Sequence, residues 1–211
     1  LHSIADFQER FNMADLNDLL VSKVRVKMLT LFFEKPNEMF YVREITRLVK
    51  EEINAVRREL DRMLEAGLLK SEQRSNRLYY TLNKKYLFFQ ELQRIVIKTS
   101  GIGKKIRKLR RKLGNVDYVV FTGAFINQAK LDRDQLDILI VGEVVLPEIE
   151  ALIKAEEKDF GREINYAVLE TEEFEFRKAR RDPFIMEVMY GVRVMVIGDE
   201  IEFCHRELPT I

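Results

Sequence analysis

The chain has 211 residues, 46% of them apolar and 34% charged, enough for one large domain or two small ones, each with its own core. No run approaches the roughly 18 apolar residues that span a bilayer, no signal-peptide pattern is read at the start, and Cys204, the single cysteine, excludes an intrachain disulfide and a thiolate metal cluster. These features set the expectation of a protein of a reducing, cytoplasmic compartment with no membrane contact.

The net charge of +1 hides a split, since residues 1–114 hold 25 Lys and Arg against 14 Asp and Glu while residues 115–211 hold 11 against 21. That asymmetry implies two units with different partners, the basic one suited to a polyanion. Residues 1–14 predict a short helix with Ile4, Phe7 and Phe11 on one side, and residues 16–33 a second helical region in which Ser22 is a cap. Pro36-Asn37 ends it. Residues 39–49 then read as a helix that buries Val42, Ile45, Leu48 and Val49 and turns Arg43, Glu44 and Arg47 outward.

Residues 53–69 form the most informative stretch. Val56, Leu60, Met63, Leu64 and Leu68 make an apolar stripe, while Asn54, Arg57, Arg58 and Asp61 stand opposite. Arginine and asparagine are side chains able to bond bidentately to guanine and adenine edges in a major groove. A solvated helix face is the competing reading of such a pattern. Past Gly67, a helix stop, the period falls to about 2. Residues 68–82 predict two strands around the tip Gln73-Arg74-Ser75-Asn76, with Leu78, Tyr80 and Leu82 on the buried side.

Two short helices joined by a tight turn, then a basic hairpin, give a helix-turn-helix order. On the segments FYVREITRLV, INAVRRELDRMLEAGLLKS and RLYYTLN, residues 16–83 resemble an ArsR-like winged helix-turn-helix domain of bacterial and archaeal transcriptional regulators. The resemblance implies that residues 53–66 are a recognition helix, with Asn54, Arg57 and Arg58 at base edges or the flanking backbone. Arg43 and Arg47 would contact phosphates from the preceding helix, and Arg74 and Arg77 from the wing. It further implies double-stranded DNA as partner and a homodimer. Glu51 and Glu52, at the helix start, depart from this pattern because they oppose a nearby phosphate.

Residues 84–114 read as a basic helical connector in which Leu87, Leu92, Ile95 and Val96 suit burial and Gly101 and Gly103 break or bend the helix. Its end, KKIRKLRRKLG, has seven basic residues in eleven; a solvated linker and a second contact to the DNA backbone are both open.

From Val116 the texture changes to alternating strands and helices, an α/β unit over 115–211. The frame FTGAFINQAKLDRDQLDILIVG resembles a polymerase-β-type minimal nucleotidyltransferase, in which a Gly-Ser pair and carboxylates on two strands hold two Mg²⁺ ions. Here Gly123 keeps the glycine, Ala124 replaces the serine, Gln135 replaces the first carboxylate and Asp137 matches the second. Asn165 stands in for the third, and Asp132 and Asp134 lie nearby. An amide is a poorer Mg²⁺ ligand than a carboxylate and leaves the metals' repulsion uncompensated. The expected fold is therefore α+β in two domains, a winged helix-turn-helix (three helices plus a β-hairpin) followed by a catalytically inactive nucleotidyltransferase-like unit. No metal or cofactor is expected, and the second unit would act as sensor, scaffold or dimerisation unit open to a small-molecule or protein effector. Two alternatives are an active nucleotidyltransferase guided by the first domain and an antitoxin-like protein of a toxin pair.

Overall fold

The computed structural model describes residues 15–128 and 135–205. The helix expected over 1–14 lies outside them, as do Asp132 and Asp134. The architecture is mixed α+β with two sheets, and the chain divides into two compact units, Leu1–Ser100 and Gly101–Ile211. Among the described residues no helix is long and apolar enough to cross a membrane.

In the first unit, α1 (Leu16–Leu19) precedes α2 (Lys23–Glu34), which starts at Ser22, whose hydroxyl accepts from the Arg25 N–H at 3.2 Å. A three-residue strand, β1 (Met39–Tyr41), comes next. Residues 39–41 therefore depart from the single helix expected over 39–49. Met-Phe-Tyr is apolar in both periods, and pairing to a distant strand decides it: Met39 opposes Thr81 and Tyr41 opposes Tyr79.

The helix itself, α3 (Val42–Val49), ends at Lys50, which takes a left-handed conformation at φ 54. It buries Ile45 and Val49 but leaves Leu48 45% exposed. Then α4 (Ile53–Glu65) runs to a Schellman end, in which Gly67 (φ 76) donates to Leu64 O at 2.8 Å and Leu68 to Met63 O at 3.0 Å. Strands β2 (Leu69–Arg74) and β3 (Arg77–Leu82) form the hairpin, turning at Ser75-Asn76, and β1 adds to β3 for the order β1-β3-β2. The hairpin's base is buried through Leu69, Tyr80 and Leu82, whereas its far end, Leu78 included, is exposed because it runs past the helical layer.

Helix α5 (Phe89–Thr99) closes the unit; the Phe89 ring packs against Phe33 at a tilt, with centroids 5.4 Å apart. Leu87 precedes its first turn and is 80% exposed, against the expectation of burial. Met28, Phe32, Phe40, Ile45, Val56 and Leu60 form the centre of the core.

The second unit begins with α6 (Gly101–Leu113), so the stretch expected as one connector is shared between the two units. Gly101, at φ 46, sits at the break, while Gly103 is buried inside the helix. Strand β4 (Gly114–Thr122) leads to the short α7 (Gly123–Ile126); β5 (Ile138–Val144), α8 (Leu146–Phe160) and β6 (Tyr166–Leu169) follow. The unit ends with α9 (Thr171–Ala179), α10 (Pro183–Tyr190), β7 (Arg193–Ile197) and α11 (Glu200–Cys204). The sheet order is β6-β5-β4-β7, with only the β5–β6 pair parallel among these neighbours.

Alternation along the strands splits the core into two layers. Val120, Leu139, Val141 and Met195 pack with Phe174, Ile185, Val188 and Phe203 from α9, α10 and α11. Residues of opposite parity, Val119, Phe121, Ile138 and Ile140, are equally buried, and α6 lies against β4 and packs on α8. A bulge between Val116 and Tyr118 presses the Asn115 carbonyl onto Gly142 (φ 133), where any Cβ would collide with it.

Candidate nucleic-acid interface

The face of α4 opposite its core stripe is built as the 3.6-residue period requires. Asn54, Arg57, Arg58 and Asp61 recur at i, i+3, i+4 and i+7 and are all exposed. Arg43 and Arg47, one turn apart on α3, are exposed as well. None of these four guanidinium groups has a hydrogen bond or ion pair with the described residues, so each keeps its donors for a ligand.

The two hairpin arginines are placed differently. Arg74 forks onto Glu72 (Nε–Oε1 3.0 Å, Nη2–Oε2 3.1 Å), a pairing that raises the Arg74 pKa and lowers that of Glu72. Arg77 lies over the Tyr41 ring at 4.7 Å, and Tyr41 meets Tyr79 edge-on at 5.8 Å, so the hairpin cation rests on aromatic faces.

The two glutamates that departed from the family pattern have structural partners. Glu52 is the N-cap of α4, and its two oxygens accept from the N–H groups of Asn54 and Ala55, both at 2.9 Å. Those backbone N–H groups, joined at longer range by Arg58 and Arg57, hold its carboxyl below the ordinary value. Glu51 pairs with Lys27 of α2. The start of α4 is thus filled by its own acid.

Sequence reasoning missed Glu59. It is 2% exposed and accepts from Arg25 of α2 through Oε1 and from Arg62 through Oε2, the latter at 3.4 Å. This carboxylate ties α4 to α2 and fixes the rotation of the exposed face. A signal was present, because 56, 59, 60 and 63 share helical spacing and place an acid inside the apolar stripe.

In the second unit the strands do bring the nucleotidyltransferase-like positions together. Thr122, just before Gly123, donates its N–H to Asp137 O at 2.9 Å, and Asp137 N–H donates to Asn165 O at 2.8 Å. The Asn165 side-chain amide donates to Gln135 O at 3.0 Å. Gly123 opens α7 with Val192 close enough to meet a Cβ at 3.3 Å, and Ala124 beside it offers no hydroxyl.

The unforeseen member is Arg162. It grips Asp137 bidentately, with Nη1–Oδ2 at 2.7 Å and Nη2–Oδ1 at 2.8 Å, while Asn165 N–H takes Oδ2 at 3.0 Å. Arg162 in turn stacks over Phe160 at 4.9 Å, and Phe160 stacks on Phe125 at 5.1 Å. Both oxygens of Asp137 are engaged, and its charge is neutralised by a guanidinium rather than left for a cation.

Among the described residues no group of three or more His, Cys, Asp or Glu could hold a metal ion. Of the described positions named for the two Mg²⁺ ions, Gln135 and Asn165 are amides and Asp137 is held by Arg162. Comparison with protein-family models, with curated proteins and with solved structures finds no match for the chain.

Proposed function

We propose that the chain is a DNA-binding transcriptional regulator whose first unit is an ArsR-like winged helix-turn-helix and whose α4 reads the duplex. The observation that carries this reading is the element order α2-β1-α3-α4-β2-β3 with sheet order β1-β3-β2, which leaves the Asn54, Arg57 and Arg58 face of α4 exposed and its arginines unpaired. In this reading Arg57 and Arg58 reach base edges or adjacent phosphates, Arg43 and Arg47 grip the backbone beside them, and Arg74 and Arg77 touch it from the wing. The chain acts as a homodimer on two half-sites, in a cytoplasmic setting.

The second unit, in the same reading, keeps a nucleotidyltransferase-like frame without its chemistry and serves as sensor, scaffold or dimerisation unit for a small-molecule or protein effector. The Asp137–Arg162 pair supports the non-catalytic assignment, since a two-metal transfer needs free carboxylate oxygens. The test is a gel shift on random duplexes at several salt concentrations. Arg57→Ala and Arg58→Ala are each expected to weaken binding by about 1–3 kcal/mol. Unchanged binding in both variants refutes the recognition-helix assignment, and Mg²⁺-dependent nucleotide incorporation abolished by Asp137→Asn refutes the non-catalytic one.

A further inference from the structure

The second unit is acidic apart from one helix. α6 has the sequence GIGKKIRKLRRKL, seven cations and no acid in 13 residues. Its apolar side is used up within its own unit, where Ile102, Gly103, Ile106 and Leu113 are buried. Lys105, Lys108, Arg111 and Lys112 are exposed on the remainder.

Ordinary helix electrostatics accounts for only part of this. The macrodipole favours Arg110, Arg111 and Lys112 in the last turn but disfavours Lys104 and Lys105 in the first. Lys105 is offset by the buried Glu156 of α8. Lys104/Lys108, Lys108/Lys112 and Arg107/Arg111 are like charges at i,i+4, which repel on an isolated helix. Lys108 and Lys112 make no hydrogen bond or ion pair with the described residues.

The feature is therefore a cationic ridge on a unit whose remaining residues hold 11 basic against 21 acidic groups. From Lys104 to Arg111 the ridge rises about 10 Å, long enough to follow several charges of a duplex that carries one per about 1.7 Å of axis. A membrane surface fits poorly, because interfacial helices need an apolar face to insert and that of α6 is buried.

We propose that the outward face of α6, centred on Lys108 and Lys112, is a contact of the second unit for the sugar-phosphate backbone of duplex DNA. It rests on the reading of the chain as a DNA binder and assigns the second unit a direct, sequence-independent share of the affinity. The contact supplies position and salt-dependent affinity but no base choice.

The test uses the full chain and measures the slope of log K against log salt on random and selected duplexes. Lys108→Gln with Lys112→Gln is expected to make the slope shallower by about 1.8, at roughly 0.9 for each phosphate no longer neutralised, and to weaken every sequence alike. Lys154→Gln with Lys158→Gln, the same charge change on α8, is expected to leave the slope as it was. An unchanged slope in the α6 variant, or an equal loss in the α8 variant, overturns the proposal. A parallel loss of binding to anionic phospholipid vesicles overturns the assignment to nucleic acid. Arg57→Ala with Arg58→Ala separates the two readings. If that variant binds fully while the α6 variant does not, the recognition-helix assignment falls and this contact stands. A native chain that binds no duplex at all refutes both.

Discussion

Replacing Arg162 by Ala is the sharpest test of what the acid at position 137 does. Asp137 is 2% exposed, and its oxygens take two guanidinium hydrogen bonds and one from a backbone N–H. Without Arg162 the carboxylate keeps only Asn165 N–H, so a buried charge loses its counter-ion, a change that costs about 3–5 kcal/mol. Asp137→Asn, by contrast, removes the charge and keeps the shape. It strands a guanidinium whose side chain is 16% exposed and can reach water, which limits the loss to about 1–2 kcal/mol.

The double variant is therefore expected to be more stable than Arg162→Ala alone, because the uncompensated charge is gone. For a unit of this size each kcal/mol is worth about 4–8 °C, so Arg162→Ala lowers the second unit's Tm by at least about 12 °C. Thermal unfolding by circular dichroism, with hydrogen exchange of β5 peptides to assign the transition, reads this directly. Millimolar Mg²⁺ is expected not to restore Arg162→Ala, since one carboxylate cannot hold the ion pair a two-metal site requires. Arg162→Ala within about 0.5 kcal/mol of the native chain, the range of ordinary surface substitutions, or a double variant worse than either single, would refute the structural role assigned to the pair.

Three further outcomes are expected. Arg74→Ala weakens all duplexes alike and lowers the salt slope by about 0.9, whereas Glu72→Gln frees the Arg74 guanidinium from its fork and tightens binding; a Glu72→Gln chain that binds more weakly counts against the wing contact. Glu59→Ala is expected to lower the ratio of selected to random affinity while leaving the salt slope unchanged, because it orients α4 and touches no phosphate. Partial recovery in Glu59→Gln, which keeps one acceptor for Arg25, would distinguish orientation from unfolding. Glu52 has a folded pKa below its ordinary 4.5, so its capping contribution is complete above that value and fades as pH falls through the lower folded one. The protection of the Asn54 and Ala55 amides, their exchange rate divided by the intrinsic rate at each pH, should fall on acidification in the native chain and stay level across that pH window in Glu52→Gln, and identical protection profiles in the two would remove the cap from the account.

How much of this was legible in the sequence follows the range of each interaction. The Ser22 cap, the Gly67 stop and the α4 stripe are written within a few residues of one another and are found in the structure, and the hairpin tip read over Gln73-Arg74-Ser75-Asn76 narrows to Ser75-Asn76 because Gln73 and Arg74 pair in β2. Where a segment's state depends on a distant partner, local pattern was silent. β1 exists because β3 pairs with it, and period alone places Leu48, Leu78 and Leu87 in the core although all three are exposed.

The same distinction governs the candidate sites. Exposed residues such as Arg57 and Arg58 could be named from helical phase, because exposure on an amphipathic helix is a local property. The meaning of a buried acid could not, since it is set by the cation the fold places against it. Arg25 lies 34 positions from Glu59, and Arg162 lies 25 from Asp137. A short pattern can thus mark where an acid stands while the partner that the fold brings to it decides its chemistry. At Asp137, just before β5, the bidentate Arg162 makes the acid a structural joint to the segment that follows α8.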